Sequence, residues 1–337
     1  MKSPPAVPKA TLDRLFSAEP WTAYAALSRL SADKSGAARL EEARKASVAS
    51  PLVRGLVKEL GDWPGKPLAS HKSAEQHFHK LSFAVEQGLR RGDPGADAIA
   101  AKAMKHRSTE GPFGLQMNIG IAHGGSGENL WAWALCDAPV VLRALARMGW
   151  AEDPAFVAAV DYLTGLERVE GGWPCAVSKS LGSFRGPGKK SDPCPYATLV
   201  MLELLLELPS RRSDPSVRRA ADCLLGLWER SRDDHPYIFY MGTDFRKLKA
   251  PLVWYDLLHV LEALTRVPSI EKDKRLADML DVLESKAGSE FLFTPESAYM
   301  TWKGYDFGQK KAPSLYLSAI ALGILARAGR IAATEGR

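Results

Sequence analysis

The chain has 337 residues, 46% of them hydrophobic and 25% charged, with a formal net charge of +6, a balance that excludes a disordered or fibrous protein and allows a large core. No run of about 18 apolar residues is present, and the start MKSPPAVPKATLDRLF lacks the apolar stretch of a signal peptide. Four cysteines with no C-x-x-C pair argue for reduced thiols rather than a disulfide framework, so a cytoplasmic protein is expected.

Residues 1–70 are the least regular part and are assigned to an N-terminal helical segment, with an outer helix expected over 47–61. Residues 71–330 carry a repeat, and the whole is read as a single domain. Its markers are Asp93-Pro94, Asp153-Pro154, Asp214-Pro215 and the acidic start at Asp273, spaced by about sixty residues. Each Asp sits where a helix N-cap belongs, and each Pro where the first turn tolerates a missing N–H. Amphipathic helices are predicted after them at about 94–107, 154–168, 215–231 and 273–286.

More apolar segments fall at about 73–89, 136–148, 194–208, 252–267 and 313–328. One set with a single greasy face and a second that is greasy throughout predict an outer and an inner helical layer. The paired helices are joined by loops of about 20 residues that open on EGPFG (110–114), EGGWP (170–174), HPYIF (235–239) and SEFLF (289–293). Open solenoids of tetratricopeptide or HEAT type have shorter repeats and tight turns, so these long loops speak against them.

The inner helices start with the residues of most chemical interest. Aligned on their exits, they place Gln76, Cys136, Tyr196, Tyr255 and Tyr316 at one repeat position and His77, Asp137, Ala197, Asp256 and Leu317 at the next. His77, Asp137 and Asp256 are polar groups in otherwise apolar helices, where an unpaired charge is costly to bury. Cys194 lies one turn before Ala197 and projects into the same region. Each has an ordinary alternative: an Asp at a helix start is often a cap, and Cys is often simply buried. That alternative is kept for Cys223, inside an outer helix, whereas Cys175, after GGWP, is placed to approach Cys136 or Cys194. Aromatic residues near the loops, Trp173 among them, are read as walls of a cavity.

Cations recur before three inner helices: Arg185 with Lys189 and Lys190, Lys247 with Lys249, and Lys310 with Lys311. Gathered where helix N-termini also point, they predict a site for an anion. Cations focused on one mouth favour a small anionic ligand over a nucleic acid. Oligomeric state leaves no mark in the sequence.

The sixty-residue hairpins, the G-G-W loop and the run from Phe184 through Asp192-Pro-Cys194-Pro-Tyr196 resemble the α/α-toroid superfamily of terpenoid cyclases and protein prenyltransferase β-subunits. The resemblance covers roughly residues 70–330. It implies an all-α toroid of about five hairpins whose inner helices line a central cavity. It further implies zinc held by Asp192 and Cys194, a diphosphate held by Lys189, and Asp256 at the position where the family has a third, histidine ligand. Neither a D-x-D-D acid motif nor a D-D-x-x-D magnesium motif is present. The resulting expectation is an enzyme acting on an isoprenoid or other anionic ligand, with Asp137, Asp192, Cys194 and Asp256 as its acid or metal-binding groups. The alternatives are a non-catalytic binder of a nucleotide, nucleic acid or lipid headgroup, and a scaffold with a filled cavity.

Overall fold

The computed structural model describes residues 4–31, 37–182, 184, 192–234, 236 and 238–332. Arg185, Lys189 and Lys190, from the predicted anion site, lie outside the described residues. Among those described, thirteen α-helices follow in order: α1 (Lys9–Phe16), α2 (Pro20–Leu30), α3 (Ala37–Ala49), α4 (Pro51–Leu60), α5 (His77–Glu86), α6 (Ala96–Lys105), α7 (Ala138–Leu145), α8 (Pro154–Thr164), α9 (Pro195–Glu207), α10 (Pro215–Glu229), α11 (Leu257–Leu264), α12 (Lys274–Glu284) and α13 (Leu315–Arg327). The class is the one the repeat predicts, all-α. The departure from it is a small antiparallel hairpin of β1 (Leu115–Asn118) and β2 (Asn129–Ala132), with Leu115 opposite Ala132 and Asn118 opposite Asn129.

The predicted inner helices are α5, α7, α9, α11 and α13. Every residue of α9 from Pro195 to Leu206 is buried, as is every residue of α7 and α11. The outer helices bury one stripe. In α12 it is Leu276, Met279, Leu280 and Leu283, the three-and-four spacing of a helix face. Each such leucine contributes about 1.5–3 kcal/mol when removed from water.

Two of the four acidic starts cap by side-chain hydrogen bonds. Asp153 accepts from the amides of Ala155 at 2.8 Å and Phe156 at 3.3 Å, and Asp273 from Arg275 at 2.8 Å. Asp214 occupies the N-cap position of α10 without a capping bond and pairs instead with Arg211 at 3.5 Å. Asp93 accepts from the Arg90 amide at 2.9 Å, and α6 begins after Gly95, whose φ of 81° is left-handed.

The chain divides into two compact units. One holds residues up to Gly55, Glu86–Gly88 and residues from Gly242 on; the other holds Leu56–Val85 and Leu89–Met241. In the first unit α2 packs against α3 and α13, and α11 against α12 and α13. In the second, α9 packs between α7 and α10. The first unit also buries Arg29, whose guanidinium bonds Glu86 at 2.9 Å, and a ring cluster of Trp21, Phe307 and Tyr316 with centroids 5.1–5.9 Å apart.

Candidate functional site

In the second unit, chemistry gathers at the start of α7. Asp137 is the N-cap residue there and is fully buried, yet it makes no capping bond to the helix. Its carboxylate turns back to accept the Ala134 amide at 3.1 and 3.3 Å, and its Oδ2 lies 2.7 Å from His71 Nε2. His71 comes from the stretch before α5, and its side chain retains 16% exposure. His79 Nε2 donates to the His71 carbonyl at 2.9 Å and fixes that stretch, while the His71 ring meets Phe78 edge-on at 6.3 Å. Burial pushes the Asp137 carboxyl above the ordinary range, and the bond from His71 opposes that rise. The result is a hydrogen-bonded pair whose inner member is dry and whose outer member reaches solvent.

Next to Asp137 in sequence is Cys136, and Cys194 is the N-cap residue of α9. The Cys194 sulfur is hydrogen-bonded to both Cys136 and Cys175, and the bond with Cys136, together with burial, pushes its thiol up to about 12. Cys194 is therefore a protonated thiol at neutral pH. Asp192 is exposed two residues earlier. Among the described residues no group of three or more His, Cys, Asp or Glu side chains is placed to hold a metal ion. Of the donor set implied by the resemblance, Asp192 and Cys194 belong to the second unit and Asp256 to the first.

Trp173 is a fastener rather than a cavity wall. It is fully buried, its amide donates to Thr198 Oγ1 at 3.0 Å, its indole N–H to the Leu163 carbonyl at 2.8 Å, and its carbonyl accepts from the Cys194 amide at 2.6 Å. Gly172 makes this approach possible. A Cβ there would sit 2.9 Å from Pro193 Cβ and Thr198 Oγ1 and 3.0 Å from Cys223 Sγ, and its φ of 76° is left-handed. Tyr196 is buried at the start of α9. His77 contacts the Glu59 carbonyl at 3.2 Å, and burial lowers its pKa. A separate cavity of about 250 Å³ lies beside the hairpin, lined in part by Ile119, Glu128, Leu130 and Ser180.

In the first unit the equivalent start is that of α11. Asp256, fully buried, caps it by accepting the His259 amide at 3.0 Å on Oδ1. Its Oδ2 accepts no hydrogen bond from a described residue, and the Lys249 ammonium stands 3.9 Å away. Burial raises the Asp256 carboxyl and Lys249 opposes the rise. Lys249, read from the sequence as a rim cation, is itself buried, with its ammonium 5.7 Å from the centre of the Tyr299 ring. Lys247 pairs with Asp244 at 3.1 Å, and Lys310 and Lys311 are exposed in the loop before α13. Tyr255 packs on Phe245 with ring centroids 5.2 Å apart, and the buried Tyr316 hydroxyl bonds Gln87 Nε2 at 3.0 Å.

No protein-family model and no curated protein matches this chain. Among solved structures it is similar to a protein from Actinoplanes, with 17% identity, coverage of 94% of this chain and 90% of that one, and a TM-score of 0.46. It is also similar to UGL with dGlcA-Glc-Rha-Glc, at 12% identity, 91% and 84% coverage and a TM-score of 0.49. A possible member of the GH105 family from Salmonella enterica gives 12% identity, 92% and 82% coverage and a TM-score of 0.42. The resemblance to terpenoid cyclases and prenyltransferase β-subunits drawn from the sequence is corrected here: the similar solved structures include UGL and possible GH105 members. No helix among the described residues is long and apolar enough to cross a membrane.

Sequence reasoning passed over His71 and His79. The run His71-Lys-Ser-Ala-Glu-Gln-His77-Phe-His79 held the signal in three histidines within nine residues. Alignment on the helix start selected His77, whereas the residue that reaches Asp137 precedes the helix.

Proposed function

We propose that this chain is an enzyme of acid–base hydrolysis, with His71 as its catalytic base and Asp137 as the residue that positions it, and that its substrate is a small acidic sugar. The observation that carries the reading is the 2.7 Å contact between His71 Nε2 and the buried Asp137 Oδ2. An imidazole at the edge of solvent, oriented by a dry carboxylate, can take a proton from an attacking water, and the carboxylate then stabilises the imidazolium. The acidic character of the substrate rests on Arg185, Lys189 and Lys190, the cations that precede α9 in sequence. A glycoside with a carboxylate offers both a bond for acid–base cleavage and a charge for those cations. The thiols take no part, because Cys194 holds its proton at neutral pH.

The saccharide dGlcA-Glc-Rha-Glc, named with UGL, is a suitable first probe alongside saturated uronic acid glycosides. Purified protein should release new reducing ends. His71→Ala and Asp137→Asn should each lower kcat by about 10²–10⁴-fold, with melting temperature little changed. Equal rates for His71→Ala and the parent chain would remove His71 from the chemistry, and no release across the panel would overturn the sugar assignment.

A further inference from the structure

Three of the four cysteines are brought together by backbone pairing that has no need of them. Ala134 and Val177 form an antiparallel bridge, flanked by bonds from the Leu135 amide to the Ala176 carbonyl at 3.0 Å and from the Ser178 amide to the Trp133 carbonyl at 2.8 Å. This sets Cys136 and Cys175 at the same end of two paired segments. The bond from the Cys194 amide to the Trp173 carbonyl, 2.6 Å, brings a third segment against them. The Cys194 sulfur, hydrogen-bonded to the sulfurs of Cys136 and Cys175, is the shared member. Cys194 is buried, whereas Cys136 and Cys175 are half-buried.

We propose that these residues form an oxidisable thiol site, in which Cys194 closes one disulfide with either Cys136 or Cys175 when the protein meets a peroxide or a small-molecule disulfide. With a peroxide, the outer thiol attacks as thiolate, the O–O bond breaks, and the sulfur becomes a sulfenic acid while the alcohol or water leaves. Cys194 then displaces the sulfenic oxygen as water, the S–S bond forms, and both thiol protons end in the released products. Two thiols lose two electrons and the peroxide gains them. With a small disulfide, two exchange steps release two small thiols and give the same bridge. Cys223, whose thiol burial pushes up to about 11, is bonded to Thr198 and stays outside the site. The inference is independent of the hydrolytic reading, since it needs only the sulfurs and their neighbours.

The test exposes the full chain to hydrogen peroxide, quenches with an alkylating agent in denaturant, and maps the peptides. The parent chain should fall from four free thiols to two, with Cys194 in every bridge and Cys223 always alkylated. Cys136→Ser and Cys175→Ser should each still form one bridge, and Cys194→Ser should form none. The double variant Cys136→Ser/Cys175→Ser, which keeps Cys194 and Cys223, should retain both and guards against misfolding of Cys194→Ser. Four free thiols in the treated parent chain, a Cys136–Cys175 bridge in Cys194→Ser, or a bridge to Cys223 would each overturn the proposal.

Discussion

Asp137 and Asp256 stand at the same position of the repeat, each at the start of a buried helix and each fully buried, yet their surroundings differ in kind. Asp137 is satisfied by hydrogen bonds: the Ala134 amide and His71 take up its carboxylate, and the histidine carries the connection outward. Asp256 is satisfied by charge, since one oxygen caps α11 while the other faces an ammonium at 3.9 Å without a donor in bonding range. A buried carboxylate with a partner at the edge of solvent can exchange its proton on demand. One balanced by a second buried charge cannot do so without disturbing the pair. The two carboxylates thus differ in how their burial is compensated, by hydrogen bonds in the first and by charge in the second.

The largest expected effect breaks the second site. Lys249→Met removes the cation beside Asp256 and should cost about 3–5 kcal/mol in urea denaturation at pH 7, the usual cost of leaving one member of a buried pair. Adding Asp256→Asn should recover most of it, because the amide still accepts the His259 amide. A cost under about 1 kcal/mol for Lys249→Met would mean that charge does not hold this site.

A smaller effect should come from the packing behind the thiols in the second unit. Gly172→Ala places a Cβ within 3.0 Å of Pro193, Thr198 and Cys223 at a left-handed backbone position. The cost should be about 2 kcal/mol, read from the denaturation midpoint. A neutral substitution would show that the Trp173 fastening yields.

The smallest effect is in pH dependence. Both carboxyls are raised by burial, so between the unfolded value of about 3.9 and the raised folded value the native state binds the extra proton. Their contribution to stability is therefore fully present below that unfolded value and is lost as pH rises through the folded one. Asp137→Asn and Asp256→Asn should each flatten the fall, by at most about 1.4 kcal/mol per pH unit. If only Asp137→Asn flattens it, Asp256 is ionised in the native protein and the Lys249 pair is the stronger term.

Much of the helical framework is legible in the sequence because a sixty-residue period and strong apolar runs each report on the same layers. Helix starts are legible where the Asp side chain bonds the next amides, as at Asp153 and Asp273. At Asp93 the same dipeptide serves a turn, because the Arg90 amide takes the carboxylate and Gly95 delays the helix. The β1–β2 hairpin escapes notice because four-residue strands are too short to show alternation against a loop background. Of the site, Asp137 follows from repeat alignment and the approach of Cys175 to Cys194 from its place in the loop after GGWP. Lys249 does not, since a lysine in the run Phe245-Arg-Lys-Leu-Lys looks solvated until the fold sets Asp256 beside it. Electrostatic partners far apart in sequence leave no local mark, and His71 with Asp137 is another such pair.

The packing of α2 against α13, together with the bond from the Ala332 amide to the Pro5 carbonyl at 3.0 Å, has a consequence for the order of events during synthesis. A ribosome delivers α2 long before α13, so the early helices must wait with an apolar face, including Trp21 and Leu27, uncovered. The second unit is nearly continuous in sequence, from Leu56 to Met241 apart from Glu86–Gly88, and has no such wait. The first unit is therefore complete only after α13 has emerged, and the interval before that is when a chaperone has most to hold.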